Sequence, residues 1–268
     1  MATSRPTLVS LLLGCLVLIP ATKASAQPVR VRHLEGLTHG FLLLRDLDGN
    51  ILAHGELDQV VNGKNGLVTT DMRFRFKDGS FYEEVTKFTQ RRQFRLLTDK
   101  VVQKGPAFKQ QSETEIDATT GTVTVRMNDG DKKVTTKHLN IPPDVSNGML
   151  IVLLKNLTET TTQSMVSMVA ASSKPRVVQL QISPQEEKTV RFGSISSPTQ
   201  HFLIKVKIGG IAGAVAPLVG KQPPDINMWI AKTTAPTFLQ SEAPLSEGNP
   251  VWRIEISAPS EDLLKATR

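Results

Sequence analysis

Residues 208–225, IGGIAGAVAPLVGKQPPD, have the composition of a loop that handles a ligand: glycine-rich, almost uncharged, and carrying a Gly220-Lys221 pair. Phosphate-cradling loops need a glycine five positions before that pair and a Ser or Thr after it. Val215 and Gln222 stand there instead, so phosphate chemistry is excluded. Gly209, Gly210 and Gly213 follow a strand-like run but lack dinucleotide-binding spacing and a βαβ setting. What remains is a short apolar element of mostly small residues, which lets backbone approach a sheet or a ligand closely. Three readings stay open: a plug filling one end of a curved sheet, a gate over an apolar cavity, or a segment making shallow membrane contact.

Other reactive residue types lead to no catalytic set. Asp46, Asp48 and Asn50 match the first ligand positions of a calcium loop, but Ile51 and Leu57 occupy the places of its glycine and its bidentate glutamate. A hairpin turn explains them better. His33, His39, His54, His138 and His201 are scattered, without zinc-ligand spacing. Gly193-Ser194-Ile195-Ser196 is not a nucleophile elbow. Glu83 and Glu84 are adjacent, so on a strand their carboxylates point to opposite faces. Glu84 could meet an acid on a neighbouring strand, but nothing in the sequence says which. Tyr82, Trp229 and Trp252 form no sequence cluster of the kind that stacks sugars. These observations predict a non-catalytic protein without cofactor or metal.

The elements that would position any site are mostly strands. Met72, Phe74 and Phe76 alternate with Arg73, Arg75 and Lys77, and the runs from Val123, Phe202 and Trp252 behave alike. Such alternation marks sheet with one core face and one wet face. Asp48-Gly49, Asn62-Gly63, Asp78-Gly79, Thr120-Gly121 and Asp129-Gly130 are turn signals between the runs. Residues 29–139 therefore read as an antiparallel meander. Residues 144–157 read as a buried helix capped by Asp144 or Ser146, a short buried strand being the rival, and residues 165–257 as a second strand set. Residues 259–268 read as one helical turn or a loose tail. The expected fold is mainly β: a curved antiparallel sheet or open barrel wrapped round one buried helix.

The first 26 residues carry Arg5, an apolar run over 8–19 and an Ala24-Ser25-Ala26 cleavage pattern, which predicts an exported chain starting near Gln27, periplasmic or secreted. A lipidated Cys15 is the competing reading. Cys15 is the only cysteine, so a chain cleaved after Ala26 has no disulfide and no thiol chemistry. Lys plus Arg total 32 against 25 acids, a mild excess, with Arg91, Arg92, Arg95, Lys100, Lys104 and Lys109 close together. They read either as a solvated strand face or as a contact for anionic lipid head groups or envelope polysaccharide. Only Phe94 and Phe108 are interleaved with them, too few aromatic platforms for nucleic acid.

Four stretches carry a resemblance: FKDGSFYEE (76–84), IPPDVSNGMLIVLLKN (141–156), IGGIAGAVAPLVGKQPPDINMWI (208–230) and NPVWRIEIS (249–257). In them the chain resembles a family of uncharacterised secreted bacterial β-proteins, domain of unknown function 3108. Its layout also looks like the lipoprotein carriers of the Gram-negative envelope, a likeness of fold alone. The family brings no catalytic residues. The expected function is binding of a lipid-like or other amphipathic molecule, with an envelope scaffold of filled core as the alternative. The expected ligand-lining residues are Met149, Leu150, Leu153 and Leu154 of the helix, Ile211, Val215 and Leu218 of the glycine-rich stretch, and Trp229.

Overall fold

The computed structural model describes residues 28–63, 66–128, 133–157, 161–192, 195–207 and 222–257. The expected signal segment, the glycine-rich stretch over 208–221 with Ile211, Val215 and Leu218, and the expected tail lie outside the described residues.

Strands β1 (Thr38–Arg45), β2 (Ile51–Asn62), β3 (Leu67–Phe76), β4 (Phe81–Gln90), β5 (Phe94–Lys104), β6 (Ser112–Asp117), β7 (Thr122–Met127) and β8 (Lys133–His138) follow one another as antiparallel neighbours. Turn chemistry sets this meander. Gly49, Gly79 and Gly121 take the positive φ that tight turns demand. The β2–β3 connection departs from expectation: Gly66, not Gly63, takes the positive φ there.

After the short helix α1 (Leu150–Lys155) come β9 (Ser164–Ala170), β10 (Arg176–Pro184), β11 (Lys188–Phe192), β12 (Ile195–Lys207), β13 (Ile226–Ala231), β14 (Thr237–Ala243) and β15 (Trp252–Ser257). β15 pairs with β1, with Leu42 opposite Ile256 and Leu44 opposite Ile254. That pairing joins both strand sets into one antiparallel sheet running from β8 through β1 and β15 to β9, with β11 pairing beside β10 along the long β12. The fold is mainly β, as the alternation predicts.

The sheet does not close by strand pairing. At the β8–β9 seam Lys137 Nζ donates to the Pro175 carbonyl at 3.1 Å, and residues 144–147 lie along the outer edge of β9. Val145 bridges Ser167 in parallel, the Ser146 amide donates to Ser167 O at 2.8 Å, and Asn147 exchanges two hydrogen bonds with the Val169 backbone. The Ser167 and Val169 amides on this edge of β9, otherwise a pairing hazard, are satisfied by Asp144 Oδ2 and Asn147 Oδ1.

This arrangement corrects the expected helix over 144–157. Asp144 and Ser146 do not cap it: Asp144 Oδ2 accepts from the Ser167 amide and hydroxyl at 2.9 and 3.0 Å, and Ser146 Oγ donates to Ser167 O. Gly148 then turns the chain with φ +64°, and the helix starts at Leu150 without a side-chain cap. Its apolar run packs as expected, with Val152, Leu153 and Leu154 in the core.

The two ends of the curved sheet are filled differently. At one, Phe76, Tyr82, Phe108 and Trp252 pack with ring centroids 5.2–6.4 Å apart. The aromatic side chains, dispersed in the sequence, thus do cluster, as a buried seal rather than a stacking platform. At the other, residues 28–37 form a strap: the Val31 amide donates to Arg92 O and the Phe94 amide to Val29 O, while Asn156 Oδ1 accepts from the amides of Arg32 and His33, both at 2.7 Å.

Candidate functional site

Beside the strap, α1 and the strands β10, β12 and β13 leave a cleft of about 380 Å³. Register explains its apolar floor. Phe202 lies opposite Pro184 on one side and Met228 on the other, and Ile230 opposite Phe238, so these side chains share the inner face with Leu154 and Leu157. The rim is polar: His33 from the strap, Lys155 at the helix C-terminus, and Lys232, Thr233 and Thr234 from the β13–β14 turn. That turn is ordered by Thr233 Oγ1 and Thr237 Oγ1, which donate to Ala235 O at 2.7 and 3.0 Å.

Both rim lysines are ion-paired. Lys155 Nζ donates to Glu35 Oε2 at 2.7 Å, and Lys232 pairs with Glu187. Glu35 is buried, its Oε2 also accepts from Gln59 Nε2 at 3.1 Å, and its Oε1 has no partner. An apolar floor under a charge-balanced polar rim suits a molecule with one long apolar part and a polar end; the acids beside the lysines weigh against a cleft built for strong anions.

Of the expected lining residues, Leu154 borders this cleft. Met149 and Leu153 are 1% and 2% exposed and wholly packed in the core, while Leu150 packs against it half-buried. Trp229 is separated from all of them. It sits between Met228 and Ile230, which face the core, so alternation turns it to the other face; there it stacks on His201 at 4.6 Å and 6°, whose Nε2 is 2.9 Å from Asn227 Oδ1. The cleft's other contributors, His33 and the β13–β14 turn, were missed because only the tertiary fold brings them to the helix.

No protein-family model matches the chain, and no curated relative matches it. Among solved structures it is similar to a β-barrel-like protein of the domain of unknown function DUF1849 from Brucella abortus, at 11% identity, over 83% of this chain and 97% of that one, with a TM-score of 0.45. A likeness of that strength carries neither family nor function.

The cationic cluster of residues 91–109 is divided by the fold. β5 is 11 residues long, about 36 Å at ~3.3 Å per residue, so Arg91 and Arg92 lie at the strap end and Lys104 and Lys109 at the aromatic end. Lys100 pairs with Glu113 at 3.0 Å, and Arg95 donates to the Pro143 carbonyl.

A second polar feature faces inward from β4 and β5. Tyr82, Glu84 and Thr86 share one face of β4, and register sets them opposite Gln103, Val101 and Asp99. Thr86 Oγ1 donates to Asp99 Oδ1 at 2.9 Å, and the Tyr82 hydroxyl lies 3.4 Å from both Glu84 Oε2 and Leu245 O. Burial, reinforced by the charge of Asp99, pushes Glu84 up to about 8. Burial likewise pushes Asp99 to about 6, against the Thr86 hydrogen bond. Tyr82 is raised too, by burial first and by Glu84 second. Asp99 is thus the cross-strand acid near Glu84 that the sequence left unnamed.

Proposed function

We propose that the protein binds one amphipathic, lipid-like molecule in the cleft beside α1, without catalysing a reaction on it. The observation that carries this reading is a cleft lined by Leu154, Leu157, Phe202 and Ile230 beneath a polar rim. At about 380 Å³ the cleft lies low in the ~300–1,000 Å³ range of small-molecule sites, which favours one acyl-like chain over two. An exported location belongs to the same proposal, on the apolar run over 8–19 and the Ala24-Ser25-Ala26 pattern of the first residues.

A filled-core scaffold is the second reading, favoured by Met149 and Leu153, which leave a ligand no room beside them. Native mass spectrometry on protein purified without detergent separates the two. The binding reading expects co-purified single-chain amphiphile, displaced by a fluorescent fatty acid. Spectra that stay empty, together with no saturable probe binding, decide for the scaffold.

A further inference from the structure

The charged groups on the cleft rim are neutralised within the protein, whereas its uncharged polar groups are uncommitted. Lys155 is held by Glu35 and Lys232 by Glu187. An anionic head group drawn to Lys155 Nζ would meet the Glu35 carboxylate one hydrogen bond further on, so the acid's repulsion offsets the lysine's attraction. Glu35 is fixed in that place. Its side chain is 5% exposed, and Gln59 Nε2 donates to the same Oε2 that Lys155 engages. Its backbone is held by the Gln90 side chain, which accepts from the Glu35 amide at 2.6 Å and donates to Glu35 O at 2.9 Å.

The uncommitted groups are Thr234 of the β13–β14 turn, His33 of the strap and Gln200 of β12, all bordering the cleft. Among the described residues the Thr234 hydroxyl and the His33 ring have no hydrogen-bond partner. Gln200 Nε2 donates to the carbonyls of Gln185 and His201 at 2.6 and 3.0 Å, and its Oε1 accepts from none of the described residues. From this division we infer that the amphiphile bound in the cleft carries an uncharged polyol head, glycerol-like, on its single chain. The inference rests on the cleft being the binding site. Hydroxyls both donate and accept, which matches Thr234, His33 and the accepting Gln200 Oε1. A carboxylate, phosphate or ammonium head gains at this rim only by opening an ion pair that the protein has already made. A polyol leaves both pairs closed and satisfies groups that an apolar ligand end would leave bare, an omission that costs affinity.

Displacement of a fluorescent fatty acid from the full chain tests the inference, with three competitors that share one acyl chain: 1-monolauroylglycerol, laurate and lauroyl-lysophosphatidylcholine. The measurement is made at about pH 8, where laurate is ionised, and below the micelle concentration of each competitor. The glycerol ester is expected to displace the probe at a concentration roughly five- to tenfold lower than either of the others. Thr234→Val, which removes an exposed hydroxyl, is expected to erase most of that margin by weakening the glycerol ester alone. Glu35→Gln leaves Lys155 without its acid and is expected to invert the order, tightening laurate about tenfold. Circular dichroism establishes whether Glu35→Gln is folded, and Thr234→Val decides the matter if it is not. The inference is overturned if laurate or the lysophospholipid displaces the probe from wild-type protein as well as the glycerol ester does. It is equally overturned if Thr234→Val keeps the full margin, or if a folded Glu35→Gln keeps the wild-type order. Saturable probe binding with a preference for laurate removes only this inference, whereas no probe binding at all removes the cleft reading beneath it.

Discussion

Gly148 lies directly against Thr86: a Cβ on the glycine would stand 1.9 Å from Thr86 Oγ1, the hydroxyl that donates to Asp99. One contact thereby couples the segment that covers β9 to the inward-facing acids of β4 and β5. Gly148 also sits at φ +64°, where an L side chain costs roughly 1–2 kcal/mol. With overpacking of about 1–3 kcal/mol, Gly148→Ala is expected to lower stability by roughly 2–5 kcal/mol. Urea unfolding checks this, through a lower midpoint at unchanged slope; an unaltered midpoint refutes the contact.

Glu84 and Asp99 make stability fall as pH rises. Their folded values, about 8 and about 6, stand above the ordinary 4.5 and 3.8, so the unfolded chain releases these protons first. Their contribution is whole below about pH 4 and is lost as pH climbs through the folded values. The lowered acids Asp46, Glu113 and Asp117 act oppositely, but only in stronger acid and from exposed positions where such terms are small. The unfolding temperature is expected to drop between about pH 5 and about pH 8.5, with Glu84→Gln flattening the slope. A midpoint rising over that interval, or an unchanged slope in the variant, contradicts the assignment.

Lys155 and Glu35 form a largely buried pair at 2.7 Å. Losing the lysine strands a carboxylate that already has one unpartnered oxygen, so Lys155→Met is expected to cost about 3–5 kcal/mol. Adding Glu35→Gln removes the stranded charge and should restore most of the loss. A double-mutant cycle checks this; additive effects would show that the pair is not coupled.

Much of this architecture is legible in the sequence because alternation is a local property. Phe74 and Phe76 are buried and Arg75 is exposed as their spacing requires, and Val123 and Val125 likewise face the core. Helix bounds are less legible, since an oxygen that can cap a helix can equally accept from a distant strand, as Asp144 does from Ser167. The acid pair was half visible: Glu84 shares the core-facing parity of Tyr82 and Thr86, but its partner depends on the β4–β5 register. The cleft was hardest to see, because His33, Leu154 and Thr234 belong to three separate segments with no common pattern.

Thr234 offers the cleanest test of the cleft. It borders the cleft from the β13–β14 turn and is exposed, so a larger side chain there can cover the floor of Phe202 and Ile230 without entering the core. Surface changes of this kind usually move stability by no more than about 0.5 kcal/mol. Thr234→Trp is therefore expected to weaken binding of a fluorescent fatty acid at least tenfold, about 1.4 kcal/mol, with the unfolding midpoint nearly unchanged. Phe202→Ala should act differently: it enlarges the cleft but removes a buried ring, costing about 3–5 kcal/mol while sparing probe binding in whatever protein remains folded. Titrating the probe into both variants alongside their unfolding curves separates occlusion from unfolding. Full-strength probe binding by Thr234→Trp would place the ligand elsewhere in the molecule.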